Sequence, residues 1–516
     1  MKNKLALLLM VLTVITLVVG CSKDNSGLTT IELWYGASVT EAGPPPSDWK
    51  AYEILREKFN INLVLSMLPS MEKDQDTRIN AAAAANNLPD LFMVRRDPFM
   101  TNVRIGSIAP VDHLYKLMPI RAENHYNEAS RRFTTVNGMS YGLASPGTIE
   151  KNEGILIRKD WLDKLGLQIP VTLDDFFNVM RAFTFRDPDG NGRADTWGYG
   201  AFIETYNYEE GLGRRLDPFF GAFGVAGTWN LHKENPGLNV RKPAYFDALS
   251  FVKRMVDEGV IDPNWISYGK DDFRAAWKQG RFGIMREQNA AYASQSNYTP
   301  FDVNFPRGEW IVIDPPKGPE GHQSVGVYVQ SYRIYAVSAK SMRQGKGEKI
   351  AALLEWMSSD EGYFLLGWGQ EGVNYTKDDN GVPGIANLPD PSKAYTQPEM
   401  QPLTQLRNMV FFNNGMELIA RYPTYVTASG KTMSAYTVLQ DMQSRPWTPN
   451  IGADALPAPS VDLKRFYEQG VIEFVNGRRP LNRTTWNTWL EEFDKLGGAE
   501  WDKAGIAFAE ESGYLW

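Results

Sequence analysis

The sequence has only one cysteine, Cys21, and only four histidines among its 516 residues. A single cysteine cannot form an internal disulfide, and it leaves no pair of thiols to hold a zinc ion. The sequence also contains no H-E-x-x-H motif, no G-x-S-x-G nucleophile turn and no phosphate-binding loop. These absences argue against the common classes of enzyme. A glycosidase remains an alternative class, because Glu287 and Glu371 could form a catalytic pair and the distance between two carboxylates cannot be read from a sequence.

Basic residues are in deficit as well. The chain has 54 lysines and arginines against 61 aspartates and glutamates, which gives a net charge of −7. Nucleic-acid binding relies on basic patches that neutralise phosphates, so we expect no nucleic acid as a partner. Apolar residues make up 43% of the chain, which is enough to build a large packed core.

The N-terminus has the layout of a secretory signal peptide. Two lysines precede the apolar run 5–19, which is shorter than the about 20 residues that span a bilayer. The last four residues of this region, VVGC, resemble a bacterial lipobox, in which the cysteine is acylated and becomes the mature N-terminus. We therefore expect a signal peptide over 1–20, a lipid on Cys21 and a polar tether over 21–30, with the protein held on the extracytoplasmic face of the cell membrane. The alternative is an ordinary signal peptide with a chance cysteine.

The mature chain begins as alternating strands and helices. Residues 30–35, 60–65 and 91–94 have the patterns of strands, and residues 49–59 and 77–87 have the patterns of helices. Such strand–helix–strand units predict an α/β fold whose mostly parallel sheets are covered on both faces. Because single cores stop growing near about 250–300 residues, the length predicts two lobes.

Several longer stretches are more specific. They are NNLPDLFMV at the end of a helix, IAPVDHLYKLMP, GMSYGLA, the run from Gly154 to Gly200 that begins GILIRKDWLDKLG, and FLLGWGQEGVNY. In this order they resemble the extracellular solute-binding lipoproteins of family 1, the capture subunits of carbohydrate importers of the ATP-binding-cassette (ABC) type. The resemblance extends from Ile31 to about Glu510.

The resemblance implies a two-lobed periplasmic-binding-protein fold of type II. Each lobe would be a mixed, mostly parallel sheet flanked by helices, and three hinge crossings would join the lobes. We expect these crossings near residues 141–145, 313–316 and 367–372. The first lobe would then comprise 31–142 and 315–366, and the second lobe 143–314 and the helical region 367–516.

The stretch DPDGNGRAD, residues 187–195, has the pattern of a calcium loop. Oxygen ligands at loop positions 1, 3, 5 and 9, a backbone carbonyl at position 7 and a glycine at position 6 match the first part of an EF-hand. The expected ligands of a structural Ca²⁺ are Asp187, Asp189, Asn191, the carbonyl of Arg193, and Asp195. The loop resembles that of the large oligosaccharide-binding family members, the alginate-binding ones included.

Two positions of this stretch depart from a full calcium site. Gly198 replaces the usual glutamate at loop position 12, and Thr196 stands where these relatives often have a glutamate. The alternative to a calcium site is a metal-free polar turn.

A sugar-binding cleft needs flat aromatic rings for pyranose faces and polar groups for hydroxyls. We expect contacts from Trp34, Tyr35 and Arg95, because ligands of open α/β sheets gather at the carboxyl ends of strands. Further candidates, some on the resemblance alone, are Asp97, Ser145, Trp229, Asn289, Tyr292 and Tyr375. For each aromatic residue, packing in the core is the competing interpretation.

The resulting prediction is a binding protein rather than an enzyme. We expect a monomer that captures an oligosaccharide between its lobes, closes on it and delivers it to the permease of an ABC transporter. Two alternatives belong to other classes. One is a lipid-anchored carbohydrate-active enzyme, and the other is a sugar-binding subunit that feeds a sensor kinase.

Overall fold

The structure is a computed structural model. It describes residues 27–36, 45–69, 72–124, 131, 134–144, 152–203, 211–328, 334–397, 400, 406, 409–410, 415–450, 459–511 and 514–516. The predicted signal peptide, Cys21, most of the tether and Ser145 lie outside the described residues. Among the helices that are described, none is both long and apolar enough to cross a membrane.

Strands and helices alternate along the described chain. The strands are β1 (Thr29–Gly36), β2 (Ile61–Leu68), β3 (Leu91–Val94), β4 (Thr135–Val136), β5 (Met139–Ser140), β6 (Leu143–Ala144), β7 (Glu153–Arg158), β8 (Trp197–Gly200), β9 (Trp229–Asn230), β10 (Gly237–Leu238), β11 (Phe282–Gln288), β12 (Trp310–Ile313), β13 (Gly326–Tyr328), β14 (Ile334–Val337), β15 (Thr376–Lys377), β16 (Pro383–Gly384), β17 (Tyr425–Val426), β18 (Thr432–Met433) and β19 (Thr448–Asn450). The α-helices are α1 (Lys50–Phe59), α2 (Glu72–Ala84), α3 (Arg96–Arg104), α4 (Asp112–Tyr115), α5 (Pro119–Asn124), α6 (Lys159–Leu165), α7 (Leu173–Phe185), α8 (Asp217–Gly221), α9 (Pro243–Asp257), α10 (Lys270–Lys278), α11 (Asn289–Ala293), α12 (Gln295–Asn304), α13 (Ala339–Arg343), α14 (Gly347–Ser358), α15 (Asp360–Trp368), α16 (Gly415–Arg421), α17 (Ala435–Ser444), α18 (Val461–Val475), α19 (Arg483–Lys495) and α20 (Gly498–Glu511).

The first sheet has the strand order β2-β1-β3-β14-β6. Strand β1 runs parallel to β2 and β3, whereas β14 runs antiparallel to β3 and β6. The side chains of Ile31, Leu33 and Tyr35 in β1 and all four residues of β3 are buried. Strands of this kind are apolar almost throughout because both faces of the sheet are covered.

The second sheet has the strand order β12-β7-β11-β8. Strand β7 is antiparallel to both of its neighbours, and β11 is parallel to β8. The predicted α/β fold with two mixed sheets is therefore confirmed, but antiparallel pairs are more frequent than the sequence suggested. The reason is topological, since β7 and β14 each enter their sheet from the other one and run against the strands beside them.

The two sheets are connected through one edge of each. The chain leaves the first sheet at Ala144 and enters the second at Glu153, and it leaves the second at Ile313 and returns to the first at Ile334. We call the end of each sheet at which these crossings occur, where strands begin or finish, its joined edge. Since Ile334 pairs with Val94, the carboxyl ends of β1, β2 and β3 lie at the joined edge of the first sheet.

The C-terminal helices pack around a stack of aromatic rings. Trp486 and Trp489 of α19 lie 4.9 Å apart between ring centres, and Phe493 is buried beside them. Beyond α20, the N–H of Trp516 donates to the carbonyl of Leu231 at 3.1 Å. The end of the chain is thereby fixed to the segment that carries β9 and β10.

Candidate functional site

Trp34 and Tyr35 lie at the joined edge of the first sheet and point to opposite faces of it. Tyr35 is fully buried, and burial raises the pKa of its hydroxyl. Trp34 is almost as buried, and the guanidinium carbon of Arg78 lies 4.0 Å from the centre of its ring. Its Nε1 donates to Glu32 Oε1 at 2.7 Å. One face of the Trp34 ring is therefore already covered by a cation.

Arg95 follows β3 directly and lies at the same edge. Its Nε donates to both carboxylate oxygens of Asp76, at 3.1 and 3.2 Å, so the guanidinium is held in a fixed position. Asp97 belongs to the first turn of α3, but its side chain is outside the described part of the structure, as is the whole of Ser145. Of the three residues predicted here, only Arg95 has a described environment.

Asn289 and Tyr292 lie where the second sheet ends. Asn289 begins α11 immediately after β11, and its side-chain amide donates to the carbonyl of Ala435 at 3.3 Å. Tyr292 is buried one turn later, and its hydroxyl donates to the carbonyl of Trp310 at 3.1 Å. Burial raises the pKa of that hydroxyl. The structure thus places Asn289 at the joined edge and Tyr292 in the core behind it.

Trp229 and Tyr375 are separated from these groups. Trp229 of β9 is buried, and its ring meets that of Trp501 edge-on at 5.4 Å. Tyr375 stacks on Phe364 at 6.2 Å and lines a cavity of about 420 Å³ together with Lys50 of α1. In this conformation both rings pack against protein side chains.

A buried cluster of charges lies at the joined edge of the second sheet, and the sequence analysis did not identify it. We call it the charge cluster, and it consists of Glu153, Arg214, Arg215, Asp217, Arg274, Arg286 and Glu287. Glu153 begins β7, and Arg286 and Glu287 end β11, so the two central strands bring these members together. The sequence feature that could have indicated this cluster is the pair of adjacent arginines, Arg214 and Arg215. Their acidic partners are too distant in sequence to be recognised from a local pattern.

The guanidinium groups of the charge cluster keep the carboxylate of Glu153 ionised. Arg214 Nη1 is 3.0 Å and Arg286 Nε is 3.2 Å from Glu153. Although burial alone would raise it, the pKa of Glu153 is lowered to about 2 by Arg214, Arg215 and Arg286. Arg286 also pairs with Asp217 at 3.1 Å and donates to the Gly326 carbonyl at 2.8 Å, which attaches β13 to the second sheet.

The 187–195 loop is at the other end of the second sheet, away from the joined edges. Its side chains converge: Asn191 Nδ2 donates to Asp189 at 2.8 Å and to Asp195 at 3.1 Å, and Asp187 Oδ1 accepts from the Gly190 N–H at 3.0 Å. Burial and the neighbouring Asp187 carboxyl raise the pKa of Asp189. The loop thus concentrates negative charge that a cation would relieve.

The fit of a calcium ion depends on the Asn191 amide. Among the described residues, no group of three or more Asp, Glu, His or Cys side chains has a geometry that could hold a metal ion. The Asn191 NH₂ group occupies the centre and bridges two carboxylates, and turning the amide over would present its oxygen there. Thr196 adds no ligand, because its hydroxyl donates to the Phe183 carbonyl at 2.9 Å. The donors expected at positions 1, 3, 5 and 9 suit a hard cation.

An α/β fold with two mixed sheets, joined through one edge of each sheet, is the architecture of a periplasmic solute-binding protein. The chain belongs to the bacterial extracellular solute-binding proteins, whose family model matches residues 50–384.

The chain is similar to three known proteins. The polygalacturonan/rhamnogalacturonan-binding protein YtcQ of Bacillus subtilis (strain 168) is 27% identical over 344 residues, 64% of each chain. Lipoprotein LipO of the same organism is 26% identical over 315 residues, 59% of this chain and 60% of LipO. The chain therefore matches less than two thirds of the length of either relative. The ABC-transporter substrate-binding protein FusA of Streptococcus pneumoniae, solved with kestose, superposes with a TM-score of 0.65 at 18% identity, over 94% of this chain and 100% of FusA. An EF-hand mutant of FusA superposes with a TM-score of 0.64.

Proposed function

We propose that this protein captures an oligosaccharide between the joined edges and delivers it, chemically unchanged, to the permease of an ABC transporter. The observation that carries the proposal is the pair of sheets joined at edges that bear Trp34, Arg95, Asn289 and the charge cluster. Short crossings between two rigid bodies allow closure around a ligand. The ligands named for YtcQ and FusA support a saccharide rather than a peptide or an ion.

In this proposal the lobes follow the two sheets. The first lobe comprises 31–142 and 315–366, and the second comprises 143–314 and 367–516. The second crossing is reinforced by β13 and β19, which pair in parallel between the sheets. Tyr375 lines a cavity with Lys50 of α1 in the first lobe. We therefore move the third crossing, expected near 367–372, to a point beyond Tyr375, and the last segment of the second lobe begins there.

We assign the predicted contact residues two kinds of role. Arg95, Asp97, Ser145 and Asn289 would exchange hydrogen bonds with sugar hydroxyls, since each belongs to or follows a joined edge. The aromatic residues would shape the site from within the packed protein, with Trp34 and Tyr35 beneath the first edge. Tyr292 lies behind the second edge, whereas Trp229 and Tyr375 are separated from both edges and pack on Trp501 and Phe364.

A structural Ca²⁺ in the 187–195 loop is part of the proposal. Asp187, Asp189, Asn191, the Arg193 carbonyl and Asp195 would hold it, and the ion would offset two of the three negative charges of the carboxylates. The existence of an EF-hand in FusA supports this assignment. The loop is at the far end of the second sheet, so the metal would stabilise the lobe and would not touch the sugar between the edges.

We further propose that Cys21 carries the lipid that anchors a monomeric protein to the outer face of the cell membrane, beside its permease. Membership of an extracellular family and similarity to lipoprotein LipO support this location. The tether over 21–30 would restrict the protein to the permease's neighbourhood and raise its effective concentration there.

The experiment that tests the function is a thermal-shift screen of the mature protein against oligosaccharides of different composition, with chromatography of each mixture afterwards. A ligand that binds only the native state raises the melting temperature. We expect at least one saccharide to do so and to be recovered intact. Cleaved product would establish the enzyme instead, and the absence of any shift would refute saccharide capture.

A further inference from the structure

Two of the fifteen tryptophans in this chain are exposed, and one of them lies at the joined edge of the second sheet. All fifteen belong to the described residues. Trp447 is 36% exposed and Trp516 is 46% exposed, whereas the other thirteen are buried or half-buried. Trp516 ends the chain beside β9 and β10, where its ring meets His232 at 4.9 Å. Trp447 is therefore the one exposed tryptophan near the crossings between the sheets.

The helix that precedes Trp447 lies across the joined edge of the second sheet. At its start, the carbonyl of Ala435 accepts from the side chain of Asn289, which follows β11. Near its end, Met442 packs against Gly154 of β7, so closely that a Cβ on this glycine would lie 2.6 Å from Met442 Cγ. Because β7 begins and β11 ends at the joined edge, α17 leads the chain along that edge to Trp447.

The short segment that carries Trp447 is attached on both sides. Before it, Arg445 pairs with Asp314, the first residue after β12, at 3.3 Å. After it, Thr448 of β19 pairs with Gly326 of β13, whose carbonyl accepts from the charge cluster. Trp447 thus lies between the end of β12 and the charge cluster, both of which belong to the joined edge.

The backbone around Trp447 has little freedom, although its ring is open. Pro446 precedes it and Pro449 follows two residues later, and each proline ring fixes its own φ near about −65°. Among the described residues, no hydrogen bond, aromatic ring or cation engages the indole. A ring held on a fixed backbone is preorganised, so less freedom is lost when a ligand binds to it.

The position of Trp447, and not its exposure alone, distinguishes it. Single exposed apolar side chains are common on protein surfaces and need no explanation. Trp447, however, lies next to β13 and β19, the parallel pair between the sheets at the second crossing. The aromatic residues predicted as sugar contacts pack against protein groups instead, as Trp34 does under Arg78. A ligand enclosed at this crossing would find the Trp447 ring available.

We propose that Trp447 is the stacking platform of the binding site, on which one sugar ring of the captured oligosaccharide lies with its C–H face against the indole. This inference rests on the proposed function and assigns the aromatic contact of that site. Stacking removes water from the apolar faces of both rings, which favours association. The hydroxyls at the rim of the sugar ring stay free to bond Arg95 and Asn289.

The first test is isothermal titration calorimetry of variants with the saccharide selected by the thermal-shift screen. We expect W447A to weaken binding by at least about tenfold, and W447F, which keeps a flat ring, to weaken it less. W516A is the matched control, because it removes the other exposed tryptophan, and it should change affinity less than about twofold. Melting temperature of the ligand-free variants checks that each is folded.

The second test leaves Trp447 in place. The W516F variant has Trp447 as its single exposed tryptophan, so quenching of its fluorescence by acrylamide reports mainly on that ring. Saturating saccharide should reduce the quenching, because the sugar covers the indole.

The outcomes separate this inference from the proposed function. Quenching in W516F that saccharide does not change, or affinity in a folded W447A equal to that of the wild type, would overturn the role of Trp447 and leave saccharide capture standing. Loss of transport by W447A with unchanged affinity would place Trp447 at the permease instead, and would also overturn the inference. No binding of any saccharide by the wild type would overturn both.

Discussion

The guanidinium carbon of Arg96 lies 5.4 Å from the centre of the Phe508 ring, although 412 residues separate the two positions in sequence. Arg96 begins α3, which follows the first sheet, and Phe508 belongs to α20, whose end is fixed beside β9 and β10. Arg96 is almost fully buried at this contact and also lies over Phe99 at 5.7 Å. The C-terminal helix therefore connects the two proposed lobes on its own, in addition to the crossings.

Removal of the Phe508 ring should favour the open form. A partly buried cation–π contact is worth about 0.5–1 kcal/mol, so F508A should lower the affinity for the captured sugar about two- to fivefold. The radius of gyration of the ligand-free protein, measured by small-angle X-ray scattering, should increase. F508L also lacks the ring and should open the protein as F508A does, whereas F508Y keeps the ring and serves as the control. An unchanged radius in F508A would show that the contact does not hold the lobes together.

Chelation should destabilise the protein through the 187–195 loop. We expect Ca²⁺ to raise the melting temperature of the wild type and EDTA to remove that gain. D189N should abolish the calcium response, because it removes one of the converging carboxylates. D378N alters another Asp-rich turn, in which Asp378 accepts from the Asn380 N–H, and should keep the response. A calcium response that survives in D189N would place the ion elsewhere.

Acid should weaken the charge cluster through Glu153. Its pKa is about 2 in the folded protein, below the ordinary 4.5 of a glutamate, because the surrounding arginines outweigh the effect of burial, so folding favours its ionised form. That contribution, about 3 kcal/mol, is complete above pH 4.5 and is lost as the pH falls towards 2. Urea unfolding should therefore show E153Q to be less stable than the wild type at pH 7, with a difference that narrows by pH 3. The exposed E320Q should show neither effect, and a difference in E153Q that does not change with pH would contradict the assignment.

A methyl group at Gly227 should destabilise the junction between the sheets. Gly227 has φ = +74°, and an added Cβ would overlap the side-chain amide of Asn450 at the end of β19. Gly381 has φ = +76° with open space around it, so G381A carries the backbone strain alone. We expect G227A to lose about 1–3 kcal/mol more than G381A in the free energy of unfolding. Equal losses would mean that the neighbouring Asn450 moves aside at little cost.

Replacement of Cys21, the proposed site of lipidation, should release the protein. The C21S variant cannot be acylated, so we expect it in the soluble extracytoplasmic fraction rather than the membrane fraction. Mass spectrometry of the wild-type N-terminus should show a mature chain that begins at an acylated Cys21. Wild-type protein found cleaved at another residue and in the soluble fraction would indicate an ordinary signal peptide.

Local patterns in the sequence predicted individual elements better than their pairing. The buried strand over 91–94 is present as predicted, because four consecutive apolar residues between turn signals leave few alternatives. The helix predicted over 77–87 instead runs from Glu72 to Ala84, and its polar first turn has no apolar period to reveal it. The antiparallel strands β7 and β14 depend on the return of the chain from the other sheet, which no local pattern encodes.

The candidate site was harder to predict than the fold for the same reason. The proposed calcium ligands lie within nine residues of one another, so their spacing alone was enough to suggest them. By contrast, Glu153 and Glu287 of the charge cluster are 134 residues apart in sequence, and the register of β7 and β11 brings them together. Arg214 reaches Glu153 from the segment before α8. Whether an aromatic residue such as Trp229 is packed or open depends on the helices that cover it.

The central claim is that this protein binds an oligosaccharide without transforming it. Its most direct test is a calorimetric titration of the mature protein with the saccharide selected by the thermal-shift screen. The sugar recovered from the calorimeter's sample cell is then analysed for chemical change. We predict one sugar bound per protein molecule and quantitative recovery of the intact oligosaccharide. Recovery of shortened or unsaturated fragments, or no measurable heat of binding for any saccharide, would contradict the claim.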